Sequence, residues 1–440
     1  MSLPGDIPMP ERFADLKRAL LPADDEGKKK FVQAWEDVLA ALKAKAKEVE
    51  NAKETSEIIP IVEFADLNKI SKDEMERIKR VGTVIIRNVV GDAQATAWKE
   101  ELKAHVKSNP VEGIPENDKQ FFMLYWTRPQ VQARADPNIL ATTVWLNHLY
   151  NTSSSSGDSD VQSVLKDVKL NTPLTYADRF RIRHPGNKWD QHPPHIDGGG
   201  IERWEDANFR SCFADILEGN WRKHDPYALE GRLNAKISLY KRANQASVFR
   251  TFQGWLALSE TGPGLGTLKV FPDVQLSNAY LIMRPFFRPK EKQVTEDPLD
   301  AENWELDTST PEFPGIFASP SSFRGPRLIP PSHPHMQLPI TMTSCPHVNP
   351  GDMVFWHCDV VHSVEVDHVG VDDSAVMYIP AVPSTKQNEE YLIRQLESFK
   401  QGIPPPDFPR TVVPEGGWDG TGVEKDVTTE IGKRAMGFAY

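Results

Sequence analysis

Cysteine is scarce in this 440-residue chain: only Cys212, Cys345 and Cys358 occur, and no two form a C-x-x-C pair. An odd number without close spacing excludes a disulfide framework and points to a reducing compartment. Long apolar runs are missing as well. No stretch approaches the ~20 residues needed to span a bilayer, and the opening Met1-Ser2-Leu3-Pro4-Gly5-Asp6 carries neither the basic nor the apolar region of a secretory signal. Positive charge is in deficit, with 51 Lys+Arg against 62 Asp+Glu and a net charge of −11. A general nucleic-acid or anionic-membrane binder, which needs a basic face, is thereby excluded. The local lysine clusters, Lys28-Lys29-Lys30 and Lys43/Lys45/Lys47, fall on an amphipathic helix and read as its solvated face. What is present in quantity is apolar: 39% of residues, with 11 Trp and 20 Phe, enough for a sizeable core. The expectation is a cytoplasmic protein whose partner is a small molecule.

Against that background the pair His195-Ile196-Asp197 stands out, together with His362 at the end of the run Gly351 to His362. Side chains alternate across a strand, so His195 and Asp197 share a face. Two imidazoles and one carboxylate on one face of a metal leave the other face open, which is the donor set of non-haem Fe(II) oxygenases. A second H-x-D, His357-Cys358-Asp359, competes for His362. On a continuous strand 357 and 359 would face away from 362, so this pair makes a poor triad. Pro193-Pro194 before the first pair and Gly198-Gly199-Gly200 after it suit a strand end where a loop leaves close to a ligand. Proposed metal ligands are therefore His195, Asp197 and His362.

Further landmarks carry a resemblance. Pro193 to Gly199, Gly254-Trp255-Leu256-Ala257-Leu258-Ser259, Gly264 to Pro272 and the Gly351–His362 run are similar to successive motifs of the phytanoyl-hydroxylase-like Fe(II)/2-oxoglutarate oxygenases. More closely, Arg183-His184-Pro185-Gly186, Phe249 to Gly254 and Tyr378-Ile379-Pro380 resemble the YbiU-like family of bacteria and fungi. The likeness runs from about Ile59 to Lys386. It implies a mainly β chain with flanking helices (α+β): a double-stranded β-helix, jelly-roll or cupin-like, behind an N-terminal helical buttress. It also implies Fe(II) on the triad, 2-oxoglutarate as co-substrate, and O2. Oxidative decarboxylation of the co-substrate would give succinate and carbon dioxide and would oxidise a C–H bond; Asp197, where halogenases carry a small residue, disfavours chloride. A likeness to fungal aziridine-forming oxygenases implies a small branched amino acid such as valine or isoleucine as substrate.

The distal carboxylate of 2-oxoglutarate needs a cation, best a bidentate arginine. The relatives supply it ten to fourteen residues after the last histidine, but this chain has Asp372-Asp373-Ser374-Ala375-Val376 there. The cation must come from another strand. Arg250 is ranked first, with Arg183 and Lys269 behind it. His184 and His192 read as structural. Two other classes fit the same residues: a non-catalytic cupin-like binding protein, and a zinc hydrolase.

Periodicity gives the organisation. Residues 1–57 form a helical extension, with Phe31, Trp35, Val38, Leu39, Leu42 and Val49 on one stripe over 28–51. Residues 58–386 form the oxygenase domain, and 387–440 a helix and docked tail. Ser71 and Gly82 bracket a helix, 81–90 is a buried strand, and 93–106 is a second helix with Asp92 as its cap. Phe121 to Trp126 is aromatic core or, with Arg128, a pocket wall. The serine-rich stretch 151–160 is a surface loop. Residues 201–235 are a helical insertion, 235–240 and 248–258 strands, and 262–266 a connecting turn. Residues 290–350 hold ten prolines after position 310, which prevents helix and central strand and makes a lid with His333 and His335 exposed.

Overall fold

The structure, a computed structural model, describes residues 7–151, 165–290 and 297–438. Nearly all of the serine-rich stretch lies outside them. The chain is mixed α/β, with more helix than a mainly β reading allows. Its centre is an eight-stranded sheet in the order 61–63, 83–87, 353–357, 252–257, 374–378, 180–183, 121–122, 113–114. The first pair is parallel and the others antiparallel. Met353–His357 and Phe252–Ala257 are buried at every position, as strands covered on both faces must be. A three-stranded sheet, 343–344, 268–270 and 362–364, is separate from it.

Helix ends follow the local chemistry. Lys72–Val81 starts where the Ser71 hydroxyl accepts from the Glu74 amide and stops at Gly82, whose φ of 73° is open to glycine. Asp92–Ser108 begins one residue earlier than expected, so Asp92 is inside the first turn and Gly91 takes the cap position. Asp25–Asn51 buries the expected stripe of Phe31, Trp35, Val38, Leu39 and Leu42. Lys45 departs from the solvated face. It is buried and paired with Glu48 at 2.8 Å and Asp273 at 3.6 Å.

The proline-rich region differs from the expected exposed lid. It holds short strands, Trp304–Leu306, Phe317–Ser319 and Ser322–Arg324, and its core joins that of the N-terminal helix. Trp35 stacks on Phe287 at 4.3 Å and meets His335 edge-on at 5.4 Å. His333 and His335 are buried, not exposed; the aromatic cover comes from distant segments, which local sequence does not reveal. Residues 235–240 form turns and not a strand. The unforeseen helix Val274–Met283 is buried at nine of its ten positions, with Gln275 half-buried, so it has almost no wet face to give it a period. Among the described residues no helix is long and apolar enough to cross a membrane.

Candidate functional site

His195 lies in an irregular segment held by main-chain bonds. Its amide donates to the His362 carbonyl and the His362 amide donates back, both at 2.9 Å. Leu328 N donates to Pro194 O at 2.7 Å, so the proline-rich region flanks the same segment. The result is that His195, Asp197 and His362 each offer a donor atom, all within 4.8 Å of one another. Asp197 Oδ1 is 3.6 Å from His195 Nε2, and Oδ2 is 3.3 Å from His362 Nε2. Ligands about 2.1 Å from a metal and at right angles lie roughly 3.0 Å apart. The two carboxylate–imidazole contacts are thus a few tenths of an ångström longer than a shared ion would impose, and all three donor groups stand within 4.8 Å of one another.

The ring orientation is fixed from behind. His195 Nδ1 donates to Pro193 O at 2.6 Å and His362 Nδ1 to Val360 O at 3.0 Å. A carbonyl only accepts, so each proton is on Nδ1 and each Nε2 keeps its lone pair toward the centre. Burial, with His362 alongside, pulls the His195 imidazole down to about 4, so it is neutral near pH 7. Burial alone would raise Asp197, yet His195, His362 and the more distant Arg250 hold its carboxyl well below the usual range. With the Gln253 amide turned so that its nitrogen faces Asp197 Oδ2 at 2.9 Å, its oxygen accepts from Trp356 Nε1 at 3.1 Å. A neutral His195, an ionised Asp197 and ring orientations fixed through both Nδ1 atoms are what a divalent metal requires.

The second H-x-D is occupied otherwise. Asp359 receives Arg203 at 2.8 Å and Arg232 at 2.5 Å, all three side chains being nearly inaccessible. His357 Nδ1 accepts from the Asp359 amide and Nε2 meets Pro226 O. This cluster is a buried ion-pair network with its carboxylate saturated.

The triad opens on a cavity of about 320 Å³ walled by both sheets, including Phe121, Arg181, Gln253, Trp255 and Tyr378 from the large one and Leu268 and Val364 from the small one. That size is at the lower end for ligand sites. Of the expected cations, Arg250 lines it. Arg183 does not: its guanidinium is spent on the carbonyls of Gly266, Glu365, Asn187 and Val366. Lys269 is not in the wall either. Arg181, which sequence reading passed over, is. It is 2% exposed, and its Nε and Nη1 have no partner among the described residues. The register explains the substitution: Arg181 is the direct partner of Val376, and Arg183 of Ser374. The neighbouring strand thus offers a guanidinium beside the stretch where the resembled oxygenases carry theirs. Only the alternation over 180–183 hinted at it. Phe121 belongs to the wall, whereas Tyr125 and Trp126 are core and Arg128 pairs with Glu101 on the surface. His192 accepts from Trp189 Nε1 at 2.7 Å and also lines the cavity, while His184 lies outside the wall and meets Asp373 at 2.7 Å.

Comparison with known proteins gives relatives of nearly full length. The Escherichia coli (strain K12) protein YbiU, described as uncharacterized, is 30% identical over 393 residues, 86% of this chain and 85% of its own. The crystal structure of GlcNAc Inducible Gene 2, GIG2, from Candida albicans matches with a TM-score of 0.84 at 29% identity, covering 98% of this chain and 90% of that one. The hypothetical protein JW0805 from Escherichia coli matches at 0.78 and 26% identity, covering 98% and 99%. None of these three is described as an aziridine-forming enzyme, so that likeness rests on the motifs alone. The Gig2-like family matches residues 7–438, and the chain belongs to that family.

Proposed function

We propose that this protein is a non-haem Fe(II)/2-oxoglutarate-dependent oxygenase that oxidises a C–H bond of a small molecule, and that its two sheets form a double-stranded β-helix around the site. The observation that carries the reading is the triad: two imidazoles and one carboxylate come together within 4.8 Å of one another at the wall of a cavity. His195, Asp197 and His362 would hold the metal; bound Fe(II), with 2-oxoglutarate and O2, supplies the oxidising chemistry. Arg181 would bind the distal carboxylate of the co-substrate. A buried guanidinium with two unsatisfied N–H groups is costly until an anion meets it, and this displaces Arg250 from the role first given to it. Gln253 orients Asp197, while Trp255, Trp356 and Tyr378 keep the reacting face dry. The motif likeness further favours an amino acid such as L-valine or L-isoleucine, undergoing ring closure or hydroxylation.

A zinc hydrolase would need a general base beside the metal. Asp178, the other carboxylate in the wall, is engaged by Arg179 at 2.9 Å. A binding protein without catalysis would have no use for a tautomer-fixed ligand set. Anaerobic addition of Fe(II) and then 2-oxoglutarate should give a weak visible charge-transfer band, absent in His195→Ala. Admitting air with L-valine or L-isoleucine should then release succinate. A protein that binds Fe(II) but shows neither the band nor any 2-oxoglutarate binding would end the proposal.

A further inference from the structure

The charges around the cavity do not balance. Its wall carries two carboxylates, Asp178 and Asp197, and four arginines, Arg179, Arg181, Arg242 and Arg250. Asp178 answers Arg179, whose guanidinium also sits over the rings of Phe121 and Phe408. Asp197 faces the two histidines. Arg181, Arg242 and Arg250 therefore remain without a carboxylate partner among the described residues. Partly desolvated cations left unpaired are costly, and such sites are built to receive anions.

Three cations exceed what one co-substrate carboxylate needs, and they are not together. Arg181 is level with Val376 and, across the next strand, Ala257. Arg250 lies two residues before the strand Phe252–Ala257, beyond the opposite end of it from Ala257. Arg181 is almost fully buried, whereas Arg242 and Arg250 are half-buried. One cation therefore lies deep and two lie toward the opening. Among the described residues Arg242 Nε is buried without a hydrogen-bond partner, while Arg250 sits over the Tyr176 ring at 5.7 Å and within electrostatic reach of Asp197 and Asp407, with no carboxylate in direct contact. Nearby acids are already committed. Asp407 accepts from Ser247 N, Ser247 Oγ and Tyr176 Oη, and Glu202 accepts from Gly200 N.

We infer that the substrate carries a carboxylate of its own, received by Arg242 and Arg250 at the outer end of the cavity. This rests on the oxygenase reading, in which Arg181 is taken by 2-oxoglutarate. It deepens that reading by naming the residues that receive the substrate's carboxylate and the end at which it is held. The pair works as a gauge: with the carboxylate anchored at the opening, the carbon presented to the metal is set by its distance from that group. An arginine fork is suited to the task because it meets both carboxylate oxygens at once.

The test uses the full chain with redox-inert Zn(II) in place of iron, so binding is read without turnover. Ligand-observed NMR is run with saturating 2-oxoglutarate and a pool of L-valine, L-isoleucine, 2-hydroxyisovalerate and hexanoate, each matched with its primary amide. At least one acid should bind and its amide should not. Arg242→Gln and Arg250→Gln should each weaken the bound acid roughly ten- to hundredfold, Arg250→Lys should restore part of the loss, and all three should leave 2-oxoglutarate affinity unchanged. Failure of every acid to bind, equal binding of acid and amide, or unchanged affinity in both glutamine variants would overturn the inference. Loss of 2-oxoglutarate binding in the unsubstituted protein would instead overturn the oxygenase reading, a separate and visible outcome.

Discussion

Replacing Asp359 by Asn tests which of the two H-x-D clusters is the metal centre. Asp359 is 1% exposed and lies between Arg203 and Arg232, at 2.8 and 2.5 Å. Asparagine keeps the shape but leaves two buried guanidinium groups facing a neutral amide. Breaking a buried pair by removing one partner costs about 3–5 kcal/mol. The unfolding entropy of about 2.1 cal/mol/K per residue gives about 0.9 kcal/mol/K for 440 residues. The melting temperature of the metal-free protein should therefore fall by about 3–5 °C. Asp197→Asn should do the reverse. Its side chain is 44% exposed toward the cavity and touches no lysine or arginine, so the metal-free Tm should fall less than in Asp359→Asn. Fe(II) affinity should drop by at least about tenfold, the scale already seen for groups that only support a ligand. Calorimetry in chelator and anaerobic Fe(II) titration read the two effects separately. If Asp359→Asn abolished iron binding without lowering Tm, the metal would belong to the 357–359 cluster and the reasoning would fail.

Other outcomes follow from particular contacts. Arg181→Gln should weaken 2-oxoglutarate roughly ten- to hundredfold by calorimetric titration while Fe(II) binding is retained; unchanged co-substrate affinity would remove Arg181 from that role. Glu415, 2% exposed, accepts from the Tyr125 and Trp126 amides, and burial pushes its carboxyl from 4.5 up to about 7. Because the folded value is the higher one, the folded state holds the proton more tightly, and stability from this group is present at low pH and lost as pH rises through 7. Denaturant unfolding of the parent relative to Glu415→Gln should show its advantage shrinking by about 3 kcal/mol between pH 4.5 and 7.5; a flat difference would contradict this. At Gly254 an added Cβ would lie 2.3 Å from the Phe355 ring and 3.0 Å from Ile379 O, so Gly254→Ala should cost about 1–3 kcal/mol in the same assay.

The parts of the fold legible in the sequence are those set by neighbours along the chain. Ser71 and Gly82 bound their helix because capping is local chemistry, and the stripe of Phe31, Trp35, Val38, Leu39 and Leu42 shows because one face is buried and the other wet. The triad was legible for a similar reason: His195 and Asp197 are two residues apart. Arg181 was not. Arg183 has the same residue type on the same strand face, and only the packing of Gly266 against Arg183, whose guanidinium would lie 2.3 Å from an added Cβ, decides that one is consumed structurally while the other faces the cavity. His333 and His335 read as loop residues because the cover over them comes from Trp35, Tyr280 and Trp304, far away in sequence. Val274–Met283 escaped notice because a helix enclosed at every position but Gln275 has no wet stripe to reveal its period.

The reciprocal main-chain bonds between His195 and His362 have a bearing on how the proposed metal would be held. In many small metalloproteins the ion draws the chain into shape, so losing the ion means losing the fold. Here the peptide backbone sets the spacing of the two imidazoles before any ion arrives. In the proposed oxygenase, iron lost to oxidation or chelation would then be reloaded into a seat that keeps its form.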